Sequence, residues 1–116
     1  MTSEETIFSK IIRREIPASI VYETETVIAF KDISPKAPVH VLCIPKKIIT
    51  DVSSASTDDA QLLGELLLAA AEVAKKEGID KSGYRLVINN GKDAGQAVNH
   101  VHVHVLGGRQ LEWPPG

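Results

Sequence analysis

Three histidines, His100, His102 and His104, alternate with valines near the C-terminal end of the chain. Alternate residues of a β-strand point to the same face, so we expect the three imidazoles on one face and the valines on the other. An imidazole can donate a hydrogen bond, accept one, or carry a proton near neutral pH. The chain has four histidines in all, and three of them in register favour a functional face over a merely solvated one.

This histidine face is compatible with two kinds of chemistry. The three histidines could bind zinc, with His40 supplying a fourth nitrogen ligand. Alternatively they could act at phosphorus, because an imidazole is a good nucleophile and neighbouring imidazoles can neutralise phosphate charge and assist a leaving group. The residues alone leave both possibilities open.

Two further segments carry candidate binding groups. Gly95 lies in the loop before the histidines and permits close backbone approach, and the N–H groups of Gln96 and Ala97 could hold a phosphate. Asp32 follows an apolar segment, and its carboxylate could accept two hydroxyl hydrogen bonds from a cis-diol. Without other information, an ordinary tight loop and a solvated acid are the commoner explanations.

The composition describes a soluble globular chain of 116 residues, 43% hydrophobic and 24% charged, for which we expect one domain spanning 1–116. A net charge of −2 provides no basic field for nucleic acid. No apolar run approaches the ~20 residues that span a bilayer. Cys43 is alone, so no intrachain disulfide is expected. The start of the chain has no apolar signal core, so we expect a cytoplasmic protein with residues 1–4 disordered.

Hydrophobic periodicity predicts two helices and five strands. The first helix is expected over 6–14, strands over 20–22, 26–30, 40–44 and 84–90, and the last strand over the histidine segment. In the strand over 40–44, alternation places His40, Leu42 and Ile44 on one face and Val41 and Cys43 on the other. The long helix should be capped by Ser56 or Thr57 and end before Gly78. Without a βαβ rhythm, this order predicts an α+β fold with a five-stranded antiparallel sheet.

The long helix is apolar around much of its circumference between residues 62 and 74. Such a helix is expected to be buried on two sides, one against the sheet and the other against a second subunit in a two-fold homodimer. The alternative is that its alanines are surface residues chosen as good helix formers. We favour the homodimer.

The His-x-His-x-His pattern and its two following apolar residues resemble the histidine-triad motif of the HIT superfamily. The C-terminal tail, residues 107–116, is similar to that of the Hint branch, the histidine-triad nucleotide-binding proteins. Similar segments include 6–8, 16–18, 29–35, 37–40 and 44–47. The resemblance implies a HIT-like fold whose dimer joins two sheets, with the tail contributing to the dimer and the active site. It also implies a purine nucleoside phosphoramidase without metal or cofactor, which hydrolyses the P–N bond of adenosine 5′-phosphoramidate or AMP-lysine conjugates.

The resemblance also implies roles for individual residues. His102 would be the nucleophile that forms a nucleotidyl-histidine intermediate, His100 and His104 would hold the phosphate and assist proton movement, and His40 would orient the triad. The binding residues implied are Asp32 and Ile33 at the ribose, Phe8, Ile11, Phe30 and Leu42 around the base, Asn89, Gly95, Gln96 and Ala97 at the phosphate, and Trp113 in the tail near the neighbouring subunit's site. Ala97 departs from the serine of many Hint proteins, which removes a hydroxyl near the leaving group.

Three other functions remain as alternatives. The protein could be a nucleotide-binding or scaffold protein with little turnover, or a zinc protein. It could also hydrolyse dinucleoside polyphosphates, although the Hint-like tail argues against that activity.

Overall fold

The computed structural model describes residues 5–116 as one antiparallel sheet of five strands with a long and a short helix. The elements are α1 (Ile7–Ile12), β1 (Ile20–Glu23), β2 (Val27–Lys31), β3 (Val39–Pro45), α2 (Ala60–Lys76), β4 (Tyr84–Val87) and β5 (Val103–Gly107). The strands lie in the order β1-β2-β3-β5-β4. The predicted α+β fold is therefore confirmed, whereas the expected disorder of residues 1–4 lies outside the described residues.

Strand β3 lies at the centre of the sheet and contributes to a core on each face. Val41 and Cys43 pack in the core beneath α2, while Leu42 and Ile44 pack in a second core with residues of α1. The alternation predicted for this strand is confirmed. On the neighbouring strand β5, Val103 and Val105 pack beneath α2, so the valine face of the histidine segment is a core face there.

The long helix begins where the sequence places its cap. Ser56 caps a short 3-10 turn, Thr57–Asp59, through a capping box with Asp59, and α2 follows from Ala60. The Lys47 ammonium, 2.6 Å from the Asp59 carboxylate, keeps the pKa of Asp59 below its usual value. Gly78, with φ of +75°, follows the end of the helix.

Within residues 5–116, one face of α2 is covered and another is left exposed. The buried residues of the helix are Leu66, Ala69, Ala70, Val73 and Ala74, and they face the sheet. Leu67 and Leu68 are 44% and 70% exposed. A second apolar face of the helix is therefore available to another molecule.

Three segments differ from the predicted boundaries. The first helix ends at Ile12, before Pro17, and Arg14 has φ of +61°. Strand β4 ends at Val87, three residues earlier than expected. Strand β5 begins at Val103, so His100 and His102 precede it.

The late start of β5 has a visible cause in the backbone hydrogen bonds. The N–H of His100 donates to the Val98 carbonyl at 2.9 Å, and that of Val101 donates to the Ile49 carbonyl at 2.6 Å. The chain before Val103 is therefore held by a local turn and by the segment after β3. Alternation alone could not reveal these partners.

Gly108, directly after β5, combines an unusual backbone angle with close packing. Its φ is +91°, and a Cβ added there would lie 2.8 Å from Pro38 Cβ. We predict that Gly108→Ala lowers the free energy of unfolding by ~2–5 kcal/mol, the sum of left-handed strain and overpacking. Urea denaturation measures this loss.

Gly78→Ala is the matched control, since φ there is +75° and an added Cβ would meet nothing within 4 Å. It should cost only the strain, about 1–2 kcal/mol. Equal losses in the two variants would show that the contact with Pro38 is without energetic consequence.

Candidate active site

The fold brings all four histidines of the chain into one cluster. The rings of His102 and His104 have centroids 5.0 Å apart, and those of His40 and His104 lie 5.2 Å apart. Phe8, from α1, packs edge-on against both His102 and His100, at 5.2 and 5.9 Å between centroids. Strands β3 and β5 are paired neighbours, which is why His40 reaches His104 across 64 residues of sequence.

The hydrogen positions on His40 and His104 follow from a single backbone donor. The Lys36 N–H donates to His40 Nδ1 at 3.0 Å, so that nitrogen carries a lone pair. A neutral ring then has its hydrogen on Nε2, which lies 2.9 Å from His104 Nδ1 and donates to it. His104 Nδ1 is therefore an acceptor, and in neutral His104 the hydrogen lies on Nε2.

His102 carries its hydrogen on the other ring nitrogen, Nδ1. Its Nδ1 lies 2.7 Å from the carbonyl oxygen of His100, which can only accept. Nδ1 therefore carries the hydrogen, and Nε2 of the neutral ring keeps a lone pair for attack. The site thus presents the lone pair of His102 Nε2 beside the Nε2–H of His104.

His100 differs from the expectation that its ring holds a phosphate. The ring is completely buried, and its Nε2 donates to the Pro45 carbonyl at 2.8 Å. Its Nδ1 is buried without a hydrogen-bond partner among residues 5–116. In this conformation the ring of His100 presents no nitrogen to a ligand, and its backbone carbonyl orients His102.

Burial keeps three of the histidines neutral. Burial lowers the pKa of His104 to about 4, with a further contribution from His102 and His40 that Asp32 opposes. Burial also lowers the pKa of His40 and of His100 below the ordinary value. These rings are uncharged at neutral pH, as the hydrogen-bond pattern requires.

Asp32 lies beside this chain of rings. One carboxylate oxygen accepts the Ser34 N–H at 2.7 Å, and the other lies 3.4 Å from His40 Nε2. Asp32, His40 and His104 could each point a ligand atom at a metal ion, since those atoms lie within 4.8 Å of one another. The Lys36 N–H opposes such binding, because a ring that binds metal through Nε2 has its hydrogen on Nδ1, where this donor points.

The residues expected around a base lie in the core behind the histidines. Phe8, Ile11, Phe30 and Leu42 are all buried in the core on the α1 side of the sheet. Of these residues, Phe8 touches the triad directly. Ile33, expected at the ribose, is 98% exposed and leaves an apolar side chain open to a ligand.

The loop that contains Gly91 and Gly95 is held together by Gln96, one of the residues expected to bind phosphate. The side chain of Gln96 accepts from the Gly91 N–H at 2.8 Å and donates to the carbonyls of Thr50 and Val98 at 2.7 and 3.1 Å. Its own N–H donates to the Gly91 carbonyl, so the expectation that this N–H is open to a phosphate is wrong. Gln96 instead holds the loop in shape.

The other residues expected at the phosphate are placed as follows. Gly95 has φ of +84°, and the N–H of Ala97 makes no hydrogen bond with residues 5–116. Asn89 is half-buried two residues beyond the end of β4. The Ala97 N–H therefore remains a candidate phosphate donor.

The C-terminal tail approaches the site through Arg109, while Trp113 remains outside it. Trp113 is 79% exposed, and its ring lies 5.9 Å from the Arg85 guanidinium. Arg109 donates to the Lys36 carbonyl at 3.0 Å.

Sequence reasoning missed Lys36 because its role depends on backbone atoms, which carry no signal in the residue type.

Comparison with known proteins identifies the class. The family model described as the HIT domain matches residues 13–111. The chain belongs to the HIT family.

The curated relatives and solved structures narrow this further. Purine nucleoside phosphoramidase of Escherichia coli is 53% identical over 109 residues, covering 94% of this chain and 92% of the relative. An uncharacterized HIT-like protein of Synechocystis is 60% identical, covering 98% and 99%. A crystal structure of a HIT family hydrolase from Legionella pneumophila superposes with a TM-score of 0.94 at 47% identity, covering 97% of this chain and all of that chain. The protein is a hydrolase of this family.

No helix within residues 5–116 has the length and apolar character to cross a membrane.

The lowered histidine pKa values predict a particular dependence of stability on pH. Below the ordinary histidine value of 6.5, the unfolded chain binds protons that the folded protein does not, so stability falls as the pH falls. We predict that the free energy of unfolding decreases from pH 7 to pH 5.5, by up to ~1.4 kcal/mol per pH unit for each such histidine. Urea denaturation across this range measures the slope.

His104→Gln is the matched variant, because the amide oxygen can still accept from His40 but cannot titrate. The free energy of unfolding of this variant should fall less steeply between pH 7 and pH 5.5 than that of the parent protein. Stability that rises on acidification over this range, or an unchanged slope in His104→Gln, would contradict the assigned protonation states.

Proposed function

We propose that the protein is a purine nucleoside phosphoramidase of the Hint type. Its substrates would be nucleoside 5′-phosphoramidates, such as adenosine 5′-phosphoramidate or AMP joined to a lysine amine. The observation that best supports this proposal is the opposite placement of the hydrogen on two neighbouring rings. Nε2 of His102 has a free lone pair, whereas Nε2 of His104 carries a hydrogen. The printed name and the 53% identity of the Escherichia coli relative support it.

The proposed first step is attack at phosphorus by the Nε2 lone pair of His102. A bond forms between this nitrogen and phosphorus, the P–N bond to the amine breaks, and the amine leaves with a proton taken from water. The His102 ring becomes cationic in the nucleotidyl adduct, and its Nδ1–H remains bonded to the His100 carbonyl. That charge-assisted hydrogen bond stabilises the intermediate.

In the proposed second step, water attacks phosphorus and gives up one proton to the hydroxide left when the amine was protonated. The bond to His102 breaks, its electron pair returns to Nε2, and the nucleoside monophosphate leaves. His104 acts in both steps by donating its Nε2–H to an oxygen of the phosphoryl group, where negative charge concentrates. Because burial keeps His104 neutral, this donor contributes without a change in its own protonation.

The rest of the nucleotide would be held beside the histidines. Asp32 uses one lone pair on the Ser34 N–H and keeps others for ribose hydroxyls. The exposed side chain of Ile33 and the residues around Phe8 give apolar surface for a purine. Apolar contact grips a base by area and has few polar groups to separate adenine from guanine.

We further propose that the enzyme acts as a homodimer. Leu67 and Leu68 leave an apolar face of α2 uncovered. Among residues 5–116, β4 is an edge strand that pairs with β5 on one side and with no strand on the other, so a second copy could pair there and join two sheets. The exposed Trp113 would then lie against the partner subunit and its site.

His102→Ala tests the covalent mechanism. Turnover of adenosine 5′-phosphoramidate should be abolished, whereas AMP should bind within about tenfold of the parent affinity, ~1.4 kcal/mol, because the groups beside the triad are intact. Rapid acid quench and intact mass measurement should find a nucleotidyl adduct on the parent protein and none on the variant.

His104→Ala provides the graded comparison, since it removes the Nε2–H donor and leaves the nucleophile. It should lower the rate by about 10²–10³, the loss typical of one hydrogen-bond donor at a developing charge. Substantial activity in His102→Ala would contradict the covalent mechanism. AMP binding without any turnover in the parent would favour a nucleotide-binding role instead.

A further inference from the structure

The backbone of Lys36 makes a hydrogen bond on each side of its Cα, one to the nearby ring of His40 and one to Arg109 in the C-terminal tail. Its N–H donates to His40 Nδ1 at 3.0 Å, and its carbonyl accepts from the Arg109 guanidinium at 3.0 Å. The residue lies between Pro35 and Pro38, and its ammonium donates to the Ser34 carbonyl at 2.9 Å. Arg109 is therefore two hydrogen bonds away from the ring of His40.

The position of Arg109 follows from the strand pairing. Val39, at the start of β3, pairs with Gly107, at the end of β5, so the loop before β3 meets the tail after β5. Gly108 packs against Pro38 and brings the following residue over the loop. Arg109 also donates to the Gln110 carbonyl at 3.1 Å, which ties its guanidinium to the tail.

The Lys36 N–H is the group that decides where His40 and His104 carry their hydrogens. If this donor moves away, water can take its place and accept a hydrogen bond from His40 Nδ1–H, so the hydrogen of the neutral ring is no longer confined to Nε2. His104 could then place its own hydrogen on Nδ1 and turn a lone pair toward the phosphate. Asp32, at 3.4 Å from His40 Nε2, favours the hydrogen on that atom but at a long distance.

We propose that Arg109 is a positioning residue, which holds the Lys36 backbone on His40 and thereby keeps the Nε2–H of His104 directed at the phosphate. A continuous series of hydrogen bonds, through Lys36 and His40, then connects the tail to the ring of His104 within each chain. The catalytic part of this inference rests on the proposed phosphoramidase activity, whereas the hydrogen positions are a property of the protein alone.

The test compares Arg109→Met, which keeps an unbranched side chain and removes the guanidinium donors, with Arg109→Lys, which restores one donor group. Arg13→Met removes an exposed guanidinium that pairs with Glu15 at the end of α1, and it serves as the control. Lys36→Pro removes the N–H that contacts His40 and is a second, independent route to the same effect. Histidine ring ¹⁵N shifts are measured without ligand, and kcat and KM with adenosine 5′-phosphoramidate.

We expect the His104 shifts of Arg109→Met to show a new population with hydrogen on Nδ1. Its kcat should fall about tenfold, equivalent to ~1.4 kcal/mol, with KM changed less than about threefold because the nucleotide contacts remain. Arg109→Lys should recover part of both effects, Lys36→Pro should reproduce them, and Arg13→Met should match the parent.

Parent-like ring shifts in both Arg109→Met and Lys36→Pro would overturn the inference, whatever the rates. A lower kcat with unchanged shifts would also overturn it, because Arg109 would then act by another route. Absence of turnover in the parent would contradict the proposed function alone, since the ring shifts still decide whether Arg109 positions the histidines.

Discussion

The hydrogen bond from the Lys36 N–H to His40 Nδ1 sets the hydrogen positions of two of the four histidine rings, His40 and His104. One backbone donor fixes the hydrogen of His40 on Nε2, and this hydrogen in turn fixes that of His104 on Nε2. Two neutral rings have four possible combinations of hydrogen positions, and these hydrogen bonds permit one of them. Burial strengthens the restriction, because it lowers the pKa of both rings and disfavours the charged forms that would break the pattern.

His102 is fixed separately, by the carbonyl of His100. The two arrangements are complementary, since His102 shows a lone pair where His104 shows a hydrogen. In the proposed mechanism, the nucleophile and the donor for the developing charge are thus prepared before any ligand arrives. No ring would then have to change its tautomer during the proposed reaction, which lowers the cost of reaching the transition state.

Much of this arrangement could be predicted from the sequence. The alternation of Val103 and Val105 with His104 predicted a strand with a core face, and the alternation of β3 predicted its two faces. The cap at Ser56 was visible because its side chain performs the capping. These features depend on side-chain types at fixed spacings, which a sequence displays directly.

The features that could not be predicted depend on backbone atoms. The carbonyls of Pro45 and His100 orient two of the histidines, and the N–H of Lys36 orients a third. Every residue has such groups, so the residue type gives no sign of which are used. For the same reason the Gln96 N–H could be expected to bind phosphate, although the folded loop uses it internally.

The hydrogen positions of His40, His102 and His104 are set before a ligand binds, by backbone partners directly or, for His104, through the ring of His40. Neutron diffraction from a deuterated crystal of the ligand-free protein at neutral pH tests this directly, because it locates deuterium on each ring nitrogen. We predict deuterium on Nδ1 and not on Nε2 of His102, and on Nε2 and not on Nδ1 of His40 and His104. Deuterium on Nε2 of His102, or on Nδ1 of His104, would contradict it.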